Sequence, residues 1–272
     1  MNSYTVETKD ELLLHVTHWN SIENPKGSIC IVHGLGEHHK RYTHVAKFYN
    51  KHGFDVYSFD QRGHGVSEGK RGHSPGLEFN LDDLDRVIKT IPKNRLFLYG
   101  HSFGGSVVAN FLMRKQPNYL RGAILSSPWF ELVKEPHVIE FALARLMNKI
   151  APSYTQNNQL DSNFMSNDPL VCRAYREDPL VHNQISVRLF SEFYEAGLWA
   201  IKNADKLSIE TLLVHGADDQ IVSSNGTVKF TKNNPTLTTC KIFEKTKHET
   251  HNDNMQHELF KYMLNWLESK NN

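Results

Sequence analysis

The stretch Gly100-His101-Ser102-Phe103-Gly104 decides the fold that we predict for this chain. The apolar run before it, residues 95–99, is typical of a buried strand, and residues 103–115 after it have the pattern of a helix. A serine between two glycines on such a turn is typical of an exposed nucleophile held at a positive φ. Glycine at the flanking positions lets neighbouring backbone pass closely. Ser102 is therefore the candidate nucleophile.

Strand and helix patterns alternate on both sides of this turn. Ahead of it we expect a hairpin over 6–16, strands over 28–32 and 54–59, and helices over 42–52 and 81–91. Behind it we expect strands over 122–126, 211–215 and 238–243, and helices over 225–232 and 251–268. This order predicts an α/β protein with a mostly parallel central sheet flanked by helices on both faces.

The alternation stops between residues 128 and 206, where helical stretches over 137–150 and 187–203 replace any strand signal. We therefore predict a helical cap, residues 128–206, inserted in a core made of residues 1–127 and 207–272. The first cap helix is broadly apolar at helical spacing. It could line a tunnel for an acyl chain, touch a membrane surface, or pack on the sheet.

Composition narrows the class of protein. The 272 residues carry a formal net charge of +1 without a basic face, so we expect no nucleic-acid partner. The first 11 residues lack the apolar stretch of a signal peptide, no apolar run of about 18 residues follows, and the three cysteines are an odd number. These features predict a cytoplasmic protein, peripheral at membranes if the cap touches them. The oligomeric state stays open.

A group of histidines early in the chain raises the question of a metal. Four of them lie close together in sequence, at positions 33, 38, 39 and 44, but the turn in which they lie accounts for them. A metal site typically places two histidines and an acid at helical spacing, and this pattern is absent from the sequence. We predict neither a metal site nor a cofactor.

A serine hydroxyl needs a base within hydrogen-bond reach and a carboxylate that orients the base. Asp218 and Asp219 follow the strand over 211–215, and His248 follows the strand over 238–243, with His251 close by. Loops at the carboxyl ends of parallel strands share one edge of the sheet, so these side chains should meet Ser102 there. We take His248 as the base. Spacing alone does not choose between the two aspartates.

An acyl-transfer site also needs two backbone N–H donors for the oxyanion. The turn His33-Gly34-Leu35-Gly36-Glu37-His38 follows the strand over 28–32 and can supply one donor. We assign the two donors to the N–H groups of Leu35 and Phe103, the latter at the start of the helix after the nucleophile.

Several motifs together resemble the monoacylglycerol lipase and lysophospholipase branch of the α/β-hydrolases, a serine aminopeptidase S33-type group. They span almost the whole chain and comprise residues 33–38, 60–67, 100–105, 126–128, 167–170 and 215–222. The resemblance implies an α/β-hydrolase fold with Asp219 as the acid, His248 as the base, and Leu35 and Phe103 as oxyanion donors. It also implies a lipid monoester as substrate.

We therefore predict a serine hydrolase that cleaves carboxylic esters through an acyl-enzyme, with a small acyl ester or lipid as its binding partner. Within enzymes, a short-chain carboxylesterase or thioesterase would use the same triad. A noncatalytic binding protein on this fold is the alternative from another class, and the complete set of triad candidates argues against it. An epoxide hydrolase or dehalogenase would need a carboxylate where Ser102 stands.

Overall fold

The computed structural model of the protein describes residues 1–21 and 24–270. The strands in chain order are β1 (Asn2–Glu7), β2 (Leu13–Trp19), β3 (Gly27–Val32), β4 (Phe54–Phe59), β5 (Leu96–His101), β6 (Leu120–Ser126), β7 (Thr155–Asn157), β8 (Gln184–Ser186), β9 (Thr211–Gly216) and β10 (Thr238–Phe243). Eight of them form one sheet in the order β1-β2-β4-β3-β5-β6-β9-β10. The pairs β1·β2 and β2·β4 are antiparallel, and the other five pairs are parallel.

Helices cover both faces of this sheet. The helices in chain order are α1 (Thr43–Lys51), α2 (Leu77–Lys89), α3 (Phe103–Lys115), α4 (Val138–Ile150), α5 (Pro169–Glu177), α6 (Val187–Lys202), α7 (Ser224–Asn233) and α8 (Gln256–Ser269). One apolar cluster joins the sheet to α2, α3 and α6, and a second cluster on the other face joins it to α1 and α8. The predicted fold class, a mostly parallel sheet flanked by helices, is confirmed.

The elements follow the sequence patterns closely near the nucleophile and less closely elsewhere. The predicted bounds of β4, α3 and β10 match the structure, and the opening hairpin forms from β1 and β2. The last helix begins at Gln256 rather than at residue 251, because residues 250–252 form a separate 3₁₀ turn.

The segment between β6 and β9 departs from prediction in one respect. The expectation that it holds no strand is wrong, since β7 and β8 pair antiparallel over three residues each. Both are short and largely polar, so they leave no alternating apolar pattern in the sequence. The segment also contains α5, which the sequence analysis did not predict. The side chain of Asp168 accepts from the N–H of Leu170 at 2.8 Å and caps this helix, and Pro169 occupies its first position.

The two long helices of this segment pack very differently. In α6, Phe193 is buried against Phe103 of α3, with ring centroids 4.5 Å apart, so α6 belongs to the main core. In contrast, α4 contributes no buried residue. The alternative in which α4 merely packs on the sheet is therefore wrong. The cap boundaries at 128 and 206 stay a prediction.

Candidate active site

Ser102 lies on a sharp turn between β5 and α3. Its φ is +51° and its ψ is −116°, the strained conformation expected for a nucleophile on such a turn. Backbone hydrogen bonds hold the turn on both sides: the N–H of Ser102 donates to Ser126 at 2.9 Å, and its carbonyl accepts from Ser106 at 3.0 Å and from Trp129 at 2.9 Å. These bonds fix the backbone from which the hydroxyl projects.

The glycines on either side of Ser102 are required by close approach of backbone. A Cβ on Gly100 would come within 2.6 Å of the carbonyl oxygen of Gly104. A Cβ on Gly104 would collide with the carbonyl oxygens of Val32 and His33 at the end of β3. The predicted role of these glycines is confirmed, because α3 could not otherwise pass so close to β3.

The three predicted triad side chains form a continuous chain of hydrogen bonds. Nε2 of His248 lies 2.9 Å from Oγ of Ser102, and Nδ1 of His248 lies 2.7 Å from Oδ2 of Asp219. Each side chain follows the carboxyl end of a strand, β5, β9 or β10, as the parallel sheet predicts. All three are buried, with Ser102 still 9% exposed toward the cavity described below.

The residues that spacing left open differ in where their side chains lie. Asp218 is exposed, whereas Asp219 points inward to His248. His251 is buried too, but its ring stacks on Tyr42, with centroids 4.7 Å apart. Asp219 and His248 are therefore the two candidates that join Ser102 in one chain of hydrogen bonds, and their roles as acid and base stay a prediction.

Charge and hydrogen bonding set the protonation of the pair. Burial alone would raise the pKa of Asp219, but the charge of His248 and the hydrogen bonds from His215 and His248 hold it well below its usual range. Burial alone would lower the pKa of His248, but the charge and hydrogen bond of Asp219 raise it above its ordinary value. Asp219 is ionised, so it accepts from Nδ1–H of His248 and leaves Nε2 free to accept the Ser102 proton.

The two predicted oxyanion donors lie on chain segments next to Ser102. Phe103 is the first residue of α3, and the N–H groups in the first turn of a helix have no partner within the helix. Leu35 lies in the turn after β3 and lines the same cavity as Ser102. A Cβ built on its neighbour Gly34 would lie 3.4 Å from Cβ of Ser102, which shows how closely this turn approaches the nucleophile.

A cavity of about 600 Å³ opens above Ser102 and His248. Its walls come mainly from the segment between β6 and β9 and are largely apolar; they include Leu143, Met147, Met165, Ile185, Val187 and Phe190. This volume is in the range of pockets that enclose a small organic ligand. The candidate nucleophile thus faces a partly open cavity whose lining is mostly apolar.

Comparison with known proteins places this geometry in a family. A family model described as serine aminopeptidase, S33, matches residues 23–255. The chain belongs to this family. The predicted resemblance is thereby confirmed.

Two relatives and one solved structure are similar to this chain over most of its length. A monoacylglycerol lipase of Mycolicibacterium smegmatis is 31% identical over 76% of this chain and 75% of its own length. An uncharacterized abhydrolase domain-containing protein of Dictyostelium discoideum is 33% identical over 97% of this chain, which spans only 28% of that relative. The crystal structure of Paleococcus ferrophilus monoacylglycerol lipase has 31% identity and a TM-score of 0.87, covering 99% of this chain and all of that one. These names support the predicted class, a carboxylic ester hydrolase.

A buried ion network in this S33 family member was missed at the sequence level. Arg41 donates to Glu249 at 2.6 Å and to Glu37 at 3.2 Å, and Glu37 accepts from the N–H of Gly34 at 2.5 Å. Burial and the charge of Glu249 raise the pKa of Glu37 to about 7. The network ties the turn that carries Leu35 to the loop that carries the base. In the sequence, only the four-residue spacing between Glu37 and Arg41 indicated a possible ion pair.

The early histidines have separate partners. Nδ1 of His39 lies 2.8 Å from Asp60, Nε2 of His38 lies 2.9 Å from Asp178, and Nε2 of His44 lies 2.9 Å from the carbonyl of His251. Across residues 1–21 and 24–270, no group of three or more His, Cys, Asp or Glu side chains is arranged to hold a metal ion.

In the part of the chain that the structure describes, no helix is long and apolar enough to cross a membrane. The cytoplasmic location stays a prediction.

Proposed function

We propose that this protein is a serine hydrolase that cleaves the ester of a single-chain lipid, as a monoacylglycerol lipase or lysophospholipase does. The observation that carries this proposal is the chain of hydrogen bonds from Ser102 through His248 to Asp219 at the floor of an apolar cavity. Similarity to the monoacylglycerol lipases of M. smegmatis and P. ferrophilus supports the substrate class.

The geometry supports a two-step mechanism. Oγ of Ser102 attacks the ester carbonyl while its proton passes to Nε2 of His248, 2.9 Å away. Asp219 stabilises the imidazolium, which then gives the proton to the oxygen of the leaving alcohol. The acyl group remains on Ser102 as an ester. Water, deprotonated by His248, attacks this ester, releases the fatty acid and restores the Ser102 hydroxyl.

The tetrahedral intermediates carry a negative oxygen that we assign to the N–H groups of Leu35 and Phe103. Loss of one donor of this kind typically costs a factor of about 100 to 1000 in rate. The buried contact of Glu37 with the N–H of Gly34 supports this role, since it holds the turn before Leu35 in place.

The cavity supports an acyl chain as the group that is bound. Each methylene buried against its apolar walls contributes about 0.8 kcal/mol, so kcat/KM should rise with chain length until the cavity is full. The helix α4 contributes Leu143 and Met147 to these walls. This supports the alternative in which the first cap helix lines an acyl-chain tunnel.

The outer side of α4 supports transient contact with a lipid surface. Val138 is 82% exposed and Ile139 is 75% exposed, and the same helix exposes Leu146 and Ile150. A run of exposed apolar side chains on one helix is the pattern of an interfacial helix. We propose that residues 128–206 act as a cap on a core of residues 1–127 and 207–272, and that α4 takes lipid from a membrane surface into the cavity.

Turnover of graded esters tests the function. p-Nitrophenyl esters from acetate to dodecanoate, 1-monooleoylglycerol and lysophosphatidylcholine would be compared in the wild type and in Ser102→Ala. We expect turnover to rise with chain length and to fall below about one per cent of wild type in Ser102→Ala. Preference for acetate would support the short-chain esterase instead, and failure to turn over any ester would support a noncatalytic binding protein.

A further inference from the structure

A second histidine contacts the triad carboxylate. His215, the fifth residue of β9, is fully buried, and its Nε2 lies 3.0 Å from Oδ2 of Asp219 and 3.2 Å from the carbonyl oxygen of Val222. Its Nδ1 lies 2.8 Å from Oγ1 of Thr227 in α7, also fully buried. The oxygen of Asp219 that faces the base is therefore shared between two imidazoles.

The partners of His215 fix its tautomer. Both neighbours of Nε2, a carboxylate and a carbonyl, can only accept, so Nε2 carries the proton. The Thr227 hydroxyl can donate, so it supplies the proton to the unprotonated Nδ1. The hydrogen bonds run in one direction, from Thr227 to His215 and from His215 to Asp219. Such a chain strengthens each of its members.

Backbone groups already hold the other oxygen of the carboxylate. Oδ1 of Asp219 accepts from the N–H groups of Ile221 at 2.8 Å and Val222 at 3.0 Å. These two donors hold only Oδ1, so the direction of Oδ2 depends on the groups that face it, and a donor there also changes the charge on Oδ2. Part of the negative charge that would otherwise act on His248 is drawn toward His215.

We propose that His215 is a positioning residue, which orients Asp219 and weakens the electrostatic attraction between Asp219 and the proton on His248. Thr227 holds His215 in the tautomer that donates to Asp219. This inference rests on the proposed function, in which Ser102, His248 and Asp219 form the triad. Without His215, the charge of Asp219 acts undivided on His248. His248 then holds its proton to higher pH and serves less well as the base that activates Ser102.

Other charged and titratable groups face His248 from the neighbouring elements. They lie in the turn after β3, at the end of β5 and in the loop around the base, and they are Glu37, His101, Glu249 and His251. All of them are retained in the variants proposed below. A change in the pH dependence of those variants would therefore be traced to the contact between His215 and Asp219.

Kinetics of four variants test this inference. His215→Leu removes the donor, and His215→Gln restores an N–H near the position of Nε2. Thr227→Val exchanges only a hydroxyl for a methyl of similar size, so this variant is used for the test if His215→Leu does not fold. Val214→Ala is the matched control, since Val214 is a buried neighbour in β9 that packs in the opposite apolar cluster. The readout is the pH profile of kcat/KM for a p-nitrophenyl ester, with Ser102→Ala as the blank.

In His215→Leu we expect kcat to fall about tenfold with KM nearly unchanged, because a hydrogen bond to a charged group is lost. The acid limb of the profile should move up by about half a pH unit. Thr227→Val should show a smaller change in the same direction, and His215→Gln should recover most of the loss. Val214→Ala should lower the melting temperature without moving the limb.

The outcomes separate this inference from the function on which it rests. If the wild type and Ser102→Ala are equally inactive, the proposed function fails and this inference fails with it. If the wild type is active and Ser102→Ala is not, an unmoved acid limb in His215→Leu and Thr227→Val would overturn only the role of His215. Failure of His215→Gln to improve on His215→Leu would overturn it as well.

Discussion

At the scale of single residues, the site depends on two opposed effects at His248. Burial favours the neutral imidazole, whereas the carboxylate of Asp219, 2.7 Å from Nδ1, favours the charged one. The carboxylate prevails, and the pKa of His248 is raised above its ordinary value. His248 is the base only when it is unprotonated, so activity is lost as the pH falls through this raised pKa.

Asp219→Asn should therefore change both the rate and its pH dependence. The amide keeps the shape of the side chain but neither carries the charge nor selects the tautomer of His248, so we expect kcat to fall by about 10⁴. The acid limb of the residual activity should move to lower pH, because the group that raised the pKa of His248 is gone.

Asp218→Asn is the control, since Asp218 is the exposed neighbour. It should leave both kcat and the acid limb unchanged. Equal losses in the two variants would show that the carboxylate facing His248 has no special role.

The spacing of residues predicts Ser102 and His248 but does not choose between the two aspartates, so Asp219 was predicted from the family resemblance alone. Asp218 and Asp219 are adjacent, and which one faces inward depends on the turn after β9, where the N–H groups of Ile221 and Val222 hold Oδ1 of Asp219. The network of Glu37, Arg41 and Glu249 could not be predicted from the sequence for a different reason. Arg41 and Glu249 are 208 residues apart in sequence, and only the folded sheet brings them together.

At the scale of elements, the packing of α3 on β3 explains why the nucleophile turn needs glycine. Gly104→Ala should destabilise the protein by roughly 2 kcal/mol or more, because the added methyl meets the backbone carbonyls of Val32 and His33, which cannot move aside as a side chain would. The free energy of unfolding, measured in urea, checks this.

Gly226→Ala in α7 is the matched helical control. Its nearest neighbours would lie 3.2 Å away, a tight contact that small shifts can relieve, and alanine favours a helix more than glycine does. We expect a change within about 1 kcal/mol. Similar losses for the two variants would mean that α3 does not approach β3 as described.

Most elements were predictable because their patterns are local. Continuous apolar runs mark β5 and β9, and helical spacing marks α3. The short pair β7 and β8 was not predictable, since its strands are held by a tertiary setting and not by their own sequence. The packing of α6 in the main core was not predictable either. Helical periodicity shows that a helix has a buried face, but it does not show which elements cover that face.

At the scale of the whole molecule, α4 connects the catalytic cavity with the outer surface. The double variant Val138→Ser and Ile139→Ser should bind phosphatidylcholine vesicles at least about fivefold more weakly, because each buried methylene contributes about 0.8 kcal/mol to such contact. Sedimentation with vesicles measures the binding. Turnover of a water-soluble short ester should not change, since neither side chain lines the cavity.

Val66→Ser is the control for this test, as Val66 is 49% exposed but lies in the loop after β4, outside the proposed cap. It should leave vesicle binding as in the wild type. If the double variant bound vesicles equally well, the lipid surface would have to meet another part of the molecule.

The central claim is that Ser102 is the nucleophile, and covalent labelling tests it most directly. A fluorophosphonate forms a stable adduct with an activated serine, and peptide mass mapping locates that adduct. We predict one adduct, on Ser102, and none in a folded Ser102→Ala variant. Absence of labelling in the wild type, or an adduct that persists in Ser102→Ala, would contradict the account.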